Sequence, residues 1–118
     1  MIKVIIYEDD TAFRDTLSIL VKGTDGFQLL GAFENCNNTA QHLIKLQPDV
    51  VLMDINMPVM NGIEASIKIR NLGIKTPIIA LTASDKENIL KEILEKKNGL
   101  TDVLVKPFEY ADLENVIS

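Results

Sequence analysis

At 118 residues, with 47% hydrophobic and 25% charged side chains, the chain can enclose one modest core and has no room for a second folded unit. A formal net charge of −5 excludes a segment that grips a nucleic-acid backbone by itself, because phosphate contacts need clustered Lys and Arg. A single cysteine, Cys36, and a single histidine, His42, exclude disulfide frameworks and Cys/His zinc sites within one chain, and a reducing cytoplasm fits.

The first apolar run, Lys3 to Tyr7, reads as a strand; even counted from Ile2 it is far too short for a signal or membrane segment. Glu8, Asp9 and Asp10 follow at once, and Asp10 suits the N-cap of a helix whose apolar face is Phe13, Leu17, Leu20 and Val21. A second strand is expected over Phe27 to Phe33 and a second helical face at Ala40, Leu43 and Ile44. Val50 to Met53 form a third run that ends at Asp54, and Gly62 opens a third helix with Ile63, Ile67 and the aliphatic stem of Arg70 on its inner face. Pro77 fits the start of a fourth strand, Ile78 to Leu81, which leads into Thr82. Ser84 and Glu87 have capping-box spacing ahead of Ile89, Leu90, Ile93 and Leu94, so a fourth helix is expected there. Val103 to Val105 make the last strand, ending at Lys106, and Leu113, Val116 and Ile117 open a fifth helix.

Short Val/Ile/Leu runs alternating with helical stretches are the pattern of βα units: a parallel sheet with helices on both faces. No repeat, low-complexity tract or linker interrupts it, and the chain stops inside its last helical pattern, as a domain excised from a longer protein would.

The charges fall where such a sheet places ligands. Glu8 and Asp9 follow strand one, Asp54 ends strand three, Thr82 strand four and Lys106 strand five, all at carboxyl ends, along which the binding crevice of an open α/β sheet lies. Three converging carboxylates repel by roughly 4 kcal/mol per pair at 4 Å and an effective dielectric of 20. A divalent cation offsets that cost, and an all-oxygen donor set without soft ligands suits Mg²⁺, with Mn²⁺ able to substitute. With a metal present a carboxylate can attack phosphorus while metal and ammonium neutralise the transferred oxygens. Asp54 is the central carboxylate and the best nucleophile by position. Asp9 is placed as a direct metal ligand and Glu8 as a direct or water-mediated one, with Lys106 as the ammonium and Thr82 as a hydroxyl.

These residues resemble the receiver domain of two-component response regulators over essentially the whole chain. The acidic cluster in IIYEDD, the VVLMDINMPVMNG motif around Asp54, LTAS and VKPF stand in family order and spacing. The resemblance implies a flavodoxin-like doubly wound (βα)5 sandwich with strand order 2-1-3-4-5. It implies Asp54 as phosphoacceptor, Glu8 and Asp9 as the acidic pair, Thr82 as switch hydroxyl, Lys106 as phosphate contact with a cis peptide to Pro107, and the Asn56 backbone carbonyl as a further Mg²⁺ ligand. Asn56 and Ser84 occupy the positions that tune phosphoryl lifetime in the family. The implied partners are a histidine kinase or phosphotransfer protein and an output domain, a helix-turn-helix DNA-binding domain or a separate partner protein, with a homodimer on phosphorylation as one outcome. No membrane contact is implied. Val103 stands where many receivers carry a switching Tyr or Phe, so the aromatic half of the usual switch is missing.

Two other functions use the same residues. Haloacid-dehalogenase-type phosphatases also combine a nucleophilic Asp, Mg²⁺, Thr or Ser and Lys, but their general acid two residues after the nucleophile is Asp, where this chain has Asn56. A degenerate receiver would serve only as an interaction module, although all five chemical positions are filled. Met53, Met57 and Met60 read as packing and loop residues, and Cys36 and His42 as incidental.

Overall fold

Each Val/Ile/Leu run becomes a strand because the sheet is covered from both sides. The computed structural model describes residues 1–54, 62–82, 100–105 and 110–117. Its strands are β1 (Ile2–Tyr7), β2 (Phe27–Phe33), β3 (Val50–Asp54), β4 (Ile78–Thr82) and β5 (Asp102–Val105). The described helices are α1 (Thr11–Lys22), α2 (Thr39–Leu46), α3 (Gly62–Asn71) and α4 (Tyr110–Ile117). All five strands agree with the predicted runs to within one residue at either end. The helix expected after Ser84 lies outside the described residues.

All strand pairs are parallel and the order is β2-β1-β3-β4-β5, the flavodoxin-like winding expected. The chain runs outward from β1 to β2, then crosses back to β3. The reversal of direction therefore falls between β1 and β3, and a crevice opens at their carboxyl ends.

Strand alternation divides the interior into two cores. Val4 and Ile6 of β1, Leu52 of β3 and Leu81 of β4 face one side, where Leu17 and Val21 of α1 and Leu113 of α4 cover them. Ile5, Tyr7, Val51, Met53 and Ala80 face the other, against Leu43 of α2 and Ala65 and Ile69 of α3. Full burial of such aliphatic side chains contributes about 1.5–3 kcal/mol each, so the two layers carry most of the fold's stability. β3 and β4 are buried at every position, which explains why their sequences read as continuous apolar runs.

Helix α1 starts as expected, with Asp10 Oδ1 accepting the Phe13 N–H at 3.1 Å. Its predicted face holds: Leu17 and Val21 are buried, with Phe13 and Leu20 packed against the same core. Two faces differ from expectation. In α2, Ile44 is 64% exposed, because Thr39 and Leu43, one turn apart, supply the buried stripe together with half-buried Leu46. In α3, Ile67 is 38% exposed, while Ala65, Ser66 and Ile69 are buried. The phase of α3 is set by small residues near its start: the buried Ser66 hydroxyl donates to the Gly62 carbonyl at 2.7 Å and lies 3.8 Å from Met53 Sδ, so a polar residue occupies the inner face. Arg70 is half-buried, and its guanidinium donates to the Ile74 carbonyl at 2.8 Å, closing the loop after α3.

Candidate functional site

Tyr7 is the last residue of β1 and is fully buried, so the chain leaves the sheet at the bottom of the crevice with Glu8, also fully buried. The Glu8 N–H donates to the Phe33 carbonyl at the end of β2 at 2.9 Å. The Glu8 carbonyl accepts from Arg14 Nη1 at 2.8 Å, and its carboxylate Oε2 accepts from the Asp10 N–H at 3.2 Å. Asp9, between them, is exposed.

Asp54 closes β3 and is 4% exposed, one strand over from Glu8. The carboxylates of Glu8, Asp9 and Asp54 come together: one oxygen from each lies within 4.8 Å of the others. At that spacing and an effective dielectric of 20, each pair of charges repels by about 3.5 kcal/mol. Burial of Glu8 and Asp54 removes the water that would screen them. A hard divalent cation fits this donor set, which is all oxygen, carries high negative charge and has one open, solvent-facing side at Asp9.

Thr82, fully buried, ends β4 at the same edge and pairs with Val105 of β5. Glu8, Asp9, Asp54 and Thr82 are therefore all at the carboxyl edge, as expected from sequence. Lys106, Pro107, Asn56 and Ser84 lie outside the described residues. Val103, at the position where many receivers carry a Tyr or Phe, pairs with Ala80 in the β4–β5 register.

Three residues around the crevice have roles that sequence reasoning missed. Arg14 braces the acidic loop from α1; its only signal is a cation six positions after Glu8, which a solvated helix face would show equally. Tyr7 and His42 are the others. The Tyr7 hydroxyl and His42 Nδ1 share a hydrogen bond of 2.9 Å, and the Phe33 and His42 rings stack at 3.9 Å, with Tyr7 and Phe33 at 5.4 Å. His42 is thus not incidental: it ties α2 to the ends of β1 and β2 beneath the acidic loop. Burial, followed by the positive charge of Lys45, lowers the His42 pKa, which favours the neutral ring in this stack.

Cys36 also belongs to the core rather than the surface, at 2% exposure. Burial pushes its thiol up to about 12, against a lowering hydrogen bond from Thr39, and the negative charge of Asp54 adds to the rise. Tyr7 is shifted upward too, again chiefly by burial.

A doubly wound five-stranded parallel sheet with a buried acidic crevice at its reversal point defines a class of flavodoxin-like domains that carry out chemistry at that edge. The profile of the response regulator receiver domain matches residues 4–118. The chain is 31% identical over its whole length to the probable C4-dicarboxylate response regulator DctR of Halalkalibacterium halodurans, of which it covers 50%. Its fold is similar to the chemotaxis protein CheY4 of Vibrio cholerae, with a TM-score of 0.84 and 30% identity over 99% of this chain and 96% of that one. It is also similar to the receiver domain of the sensor histidine kinase PA1611 of Pseudomonas aeruginosa, with a TM-score of 0.82 and 26% identity over 98% of this chain and 93% of that one. That structure has a magnesium ion coordinated in its active-site cleft. The chain belongs to the response regulator receiver domain family and is a phosphoacceptor signalling domain. It spans half the length of the DctR relative. Among the described residues no helix is long and apolar enough to cross a membrane.

Proposed function

We propose that Asp54 receives the phosphoryl group and that Glu8, Asp9 and Asp54, with the backbone carbonyl of Asn56, hold Mg²⁺ beside it. The observation that carries this reading is the meeting of three carboxylates within 4.8 Å at the sheet's reversal point, with Asp54 central and almost fully buried. Mg²⁺ would supply charge neutralisation for the carboxylates and for the oxygens of the transferred group. An Asp54 carboxylate oxygen attacks phosphorus, the bond from phosphorus to the donor breaks, and the donor leaves with the bonding pair and takes up a proton. With a phosphohistidine donor the leaving group is a neutral imidazole once protonated.

Thr82 would offer its hydroxyl to the new phosphoryl oxygens, and Lys106 its ammonium. The added charge on Asp54 then biases the arrangement around Thr82, which is the switch. The donor would be a histidine kinase or phosphotransfer protein in the cytoplasm, and the reader an output domain or partner protein, since the DctR relative is a response regulator twice this length. Autonomous phosphotransfer from a small acyl phosphate, without a kinase, is part of the proposal.

Reduction by borohydride tests the nucleophile directly, because it converts an aspartyl phosphate to homoserine. After treatment with acetyl phosphate and Mg²⁺, peptide mapping should find homoserine at position 54; homoserine elsewhere, or none, would remove Asp54 from the role.

A further inference from the structure

The Glu8–Asp10 turn is held from several directions. The Glu8 N–H is fixed by β2 through the Phe33 carbonyl, at 2.9 Å. Asp10 is fixed by the first turn of α1: its side chain caps the Phe13 N–H at 3.1 Å, and its carbonyl accepts from the Arg14 N–H at 2.8 Å. The peptide joining Glu8 to Asp9 has a further restraint, the 2.8 Å bond from Arg14 Nη1 to the Glu8 carbonyl oxygen. Arg14 therefore grips the turn twice, through its main chain at Asp10 and through its guanidinium at Glu8.

A peptide unit is planar, so holding its oxygen orients the whole plane from which the next residue projects. That next residue is Asp9, the exposed member of the carboxylate trio. We infer that Arg14 is a positioning residue for the metal site: its guanidinium clamps the Glu8 carbonyl and so sets the direction from which the Asp9 carboxylate meets Glu8 and Asp54. The inference rests on the metal-site reading given above. It deepens that reading by naming a cation that helps assemble an anionic site without touching the ion.

Charge and geometry make opposite predictions for Arg14, which gives the test its force. If the guanidinium acted only through its charge, it would repel a divalent cation, and Arg14→Gln would bind Mg²⁺ more tightly. If it acts as a clamp, the same variant binds more weakly, by about tenfold or more, as for other partners that orient metal ligands. Arg14→Lys keeps the charge and one donor but loses the planar fork and should fall between Arg14→Gln and the native protein. Arg70→Gln is the control, since it removes another Arg-to-carbonyl bond, to Ile74, away from the crevice.

The experiment is titration of each protein with MgCl₂, followed by amide shifts in NMR spectra, alongside hydrogen exchange of the Glu8 and Asp10 amides in the metal-free proteins. The clamp predicts weaker Mg²⁺ binding and faster exchange in Arg14→Gln, partial recovery in Arg14→Lys, and native behaviour in Arg70→Gln. Unchanged or tighter binding by Arg14→Gln, with the native protein binding normally, overturns the inference alone. Absence of Mg²⁺ binding by the native protein overturns the metal-site reading instead, and the exchange rates still decide whether the clamp exists.

Discussion

At the scale of single residues, the crevice shows how burial decides which groups react. Cys36 is a thiol near an aspartate in a signalling site, yet burial raises its pKa from 9.0 to about 12, so it stays protonated and inert at neutral pH. The sign of the linked stability follows. Below pH 9 both folded and unfolded chains keep the thiol proton, and stability does not depend on it. Above pH 9 the unfolded chain releases the proton while the fold retains it, so stability falls as pH rises toward about 12. Denaturant midpoints measured from pH 8 to 11 should decline, and less steeply in Cys36→Ala, with the remaining slope carried by Tyr7. Equal slopes in both proteins would show that the thiol is not held protonated by the fold. Asp54, Glu8 and Thr82 were legible in the sequence because each directly follows or ends an apolar run, and Asp9 because it comes next after Glu8. Arg14, Tyr7 and His42 were not, because their roles depend on which helix face meets which strand end, and a cation on α1 or an imidazole on α2 reads equally well as solvated surface.

At the scale of elements, the strands were more legible than the helix faces. A strand buried on both sides, such as β3 or β4, needs only an unbroken apolar run, whatever its neighbours are. A helix needs its phase as well, and in α2 and α3 that phase is set by residues without a strong apolar signal. Thr39 and Ser66 are buried through hydrogen bonds to the Cys36 and Gly62 carbonyls, which turns Ile44 and Ile67 outward against the simplest pattern. The end of β2 gives the element-level prediction. A Cβ added at Gly31 would lie 2.8 Å from the Phe33 ring, which cannot easily give way because it is stacked on Tyr7 and His42. Gly31→Ala should therefore cost about 1–3 kcal/mol, as overpacking does. In combination with Phe33→Leu the cost should be smaller than the sum of the two single changes, measured as a double-mutant cycle by urea unfolding. Strict additivity would mean that the clash is relieved elsewhere.

At the scale of the whole molecule, folding and function oppose each other at the crevice. Winding the chain as β2-β1-β3-β4-β5 brings Glu8, Asp9 and Asp54 together in a protein that already carries a net charge of −5. A ligand bound only by the folded state stabilises it by mass action, about 2.7 kcal/mol at a hundredfold excess over Kd. For a domain of this size that corresponds to a rise in Tm on the order of 10 °C. MgCl₂ should produce such a rise in the native protein and a smaller one in Asp54→Asn, whereas monovalent salt at equal ionic strength should not. A native Tm indifferent to Mg²⁺ would mean that the carboxylates meet without forming a metal site. The central claim is that this edge of the sheet is built to place a phosphoryl group on Asp54 with Mg²⁺ present. Its most direct test is intact mass after incubation with acetyl phosphate, with and without Mg²⁺, for the native protein and Asp54→Asn. One phosphoryl adduct that requires both Mg²⁺ and Asp54 is the predicted result; an adduct that survives loss of either, or no adduct under any condition, would contradict it.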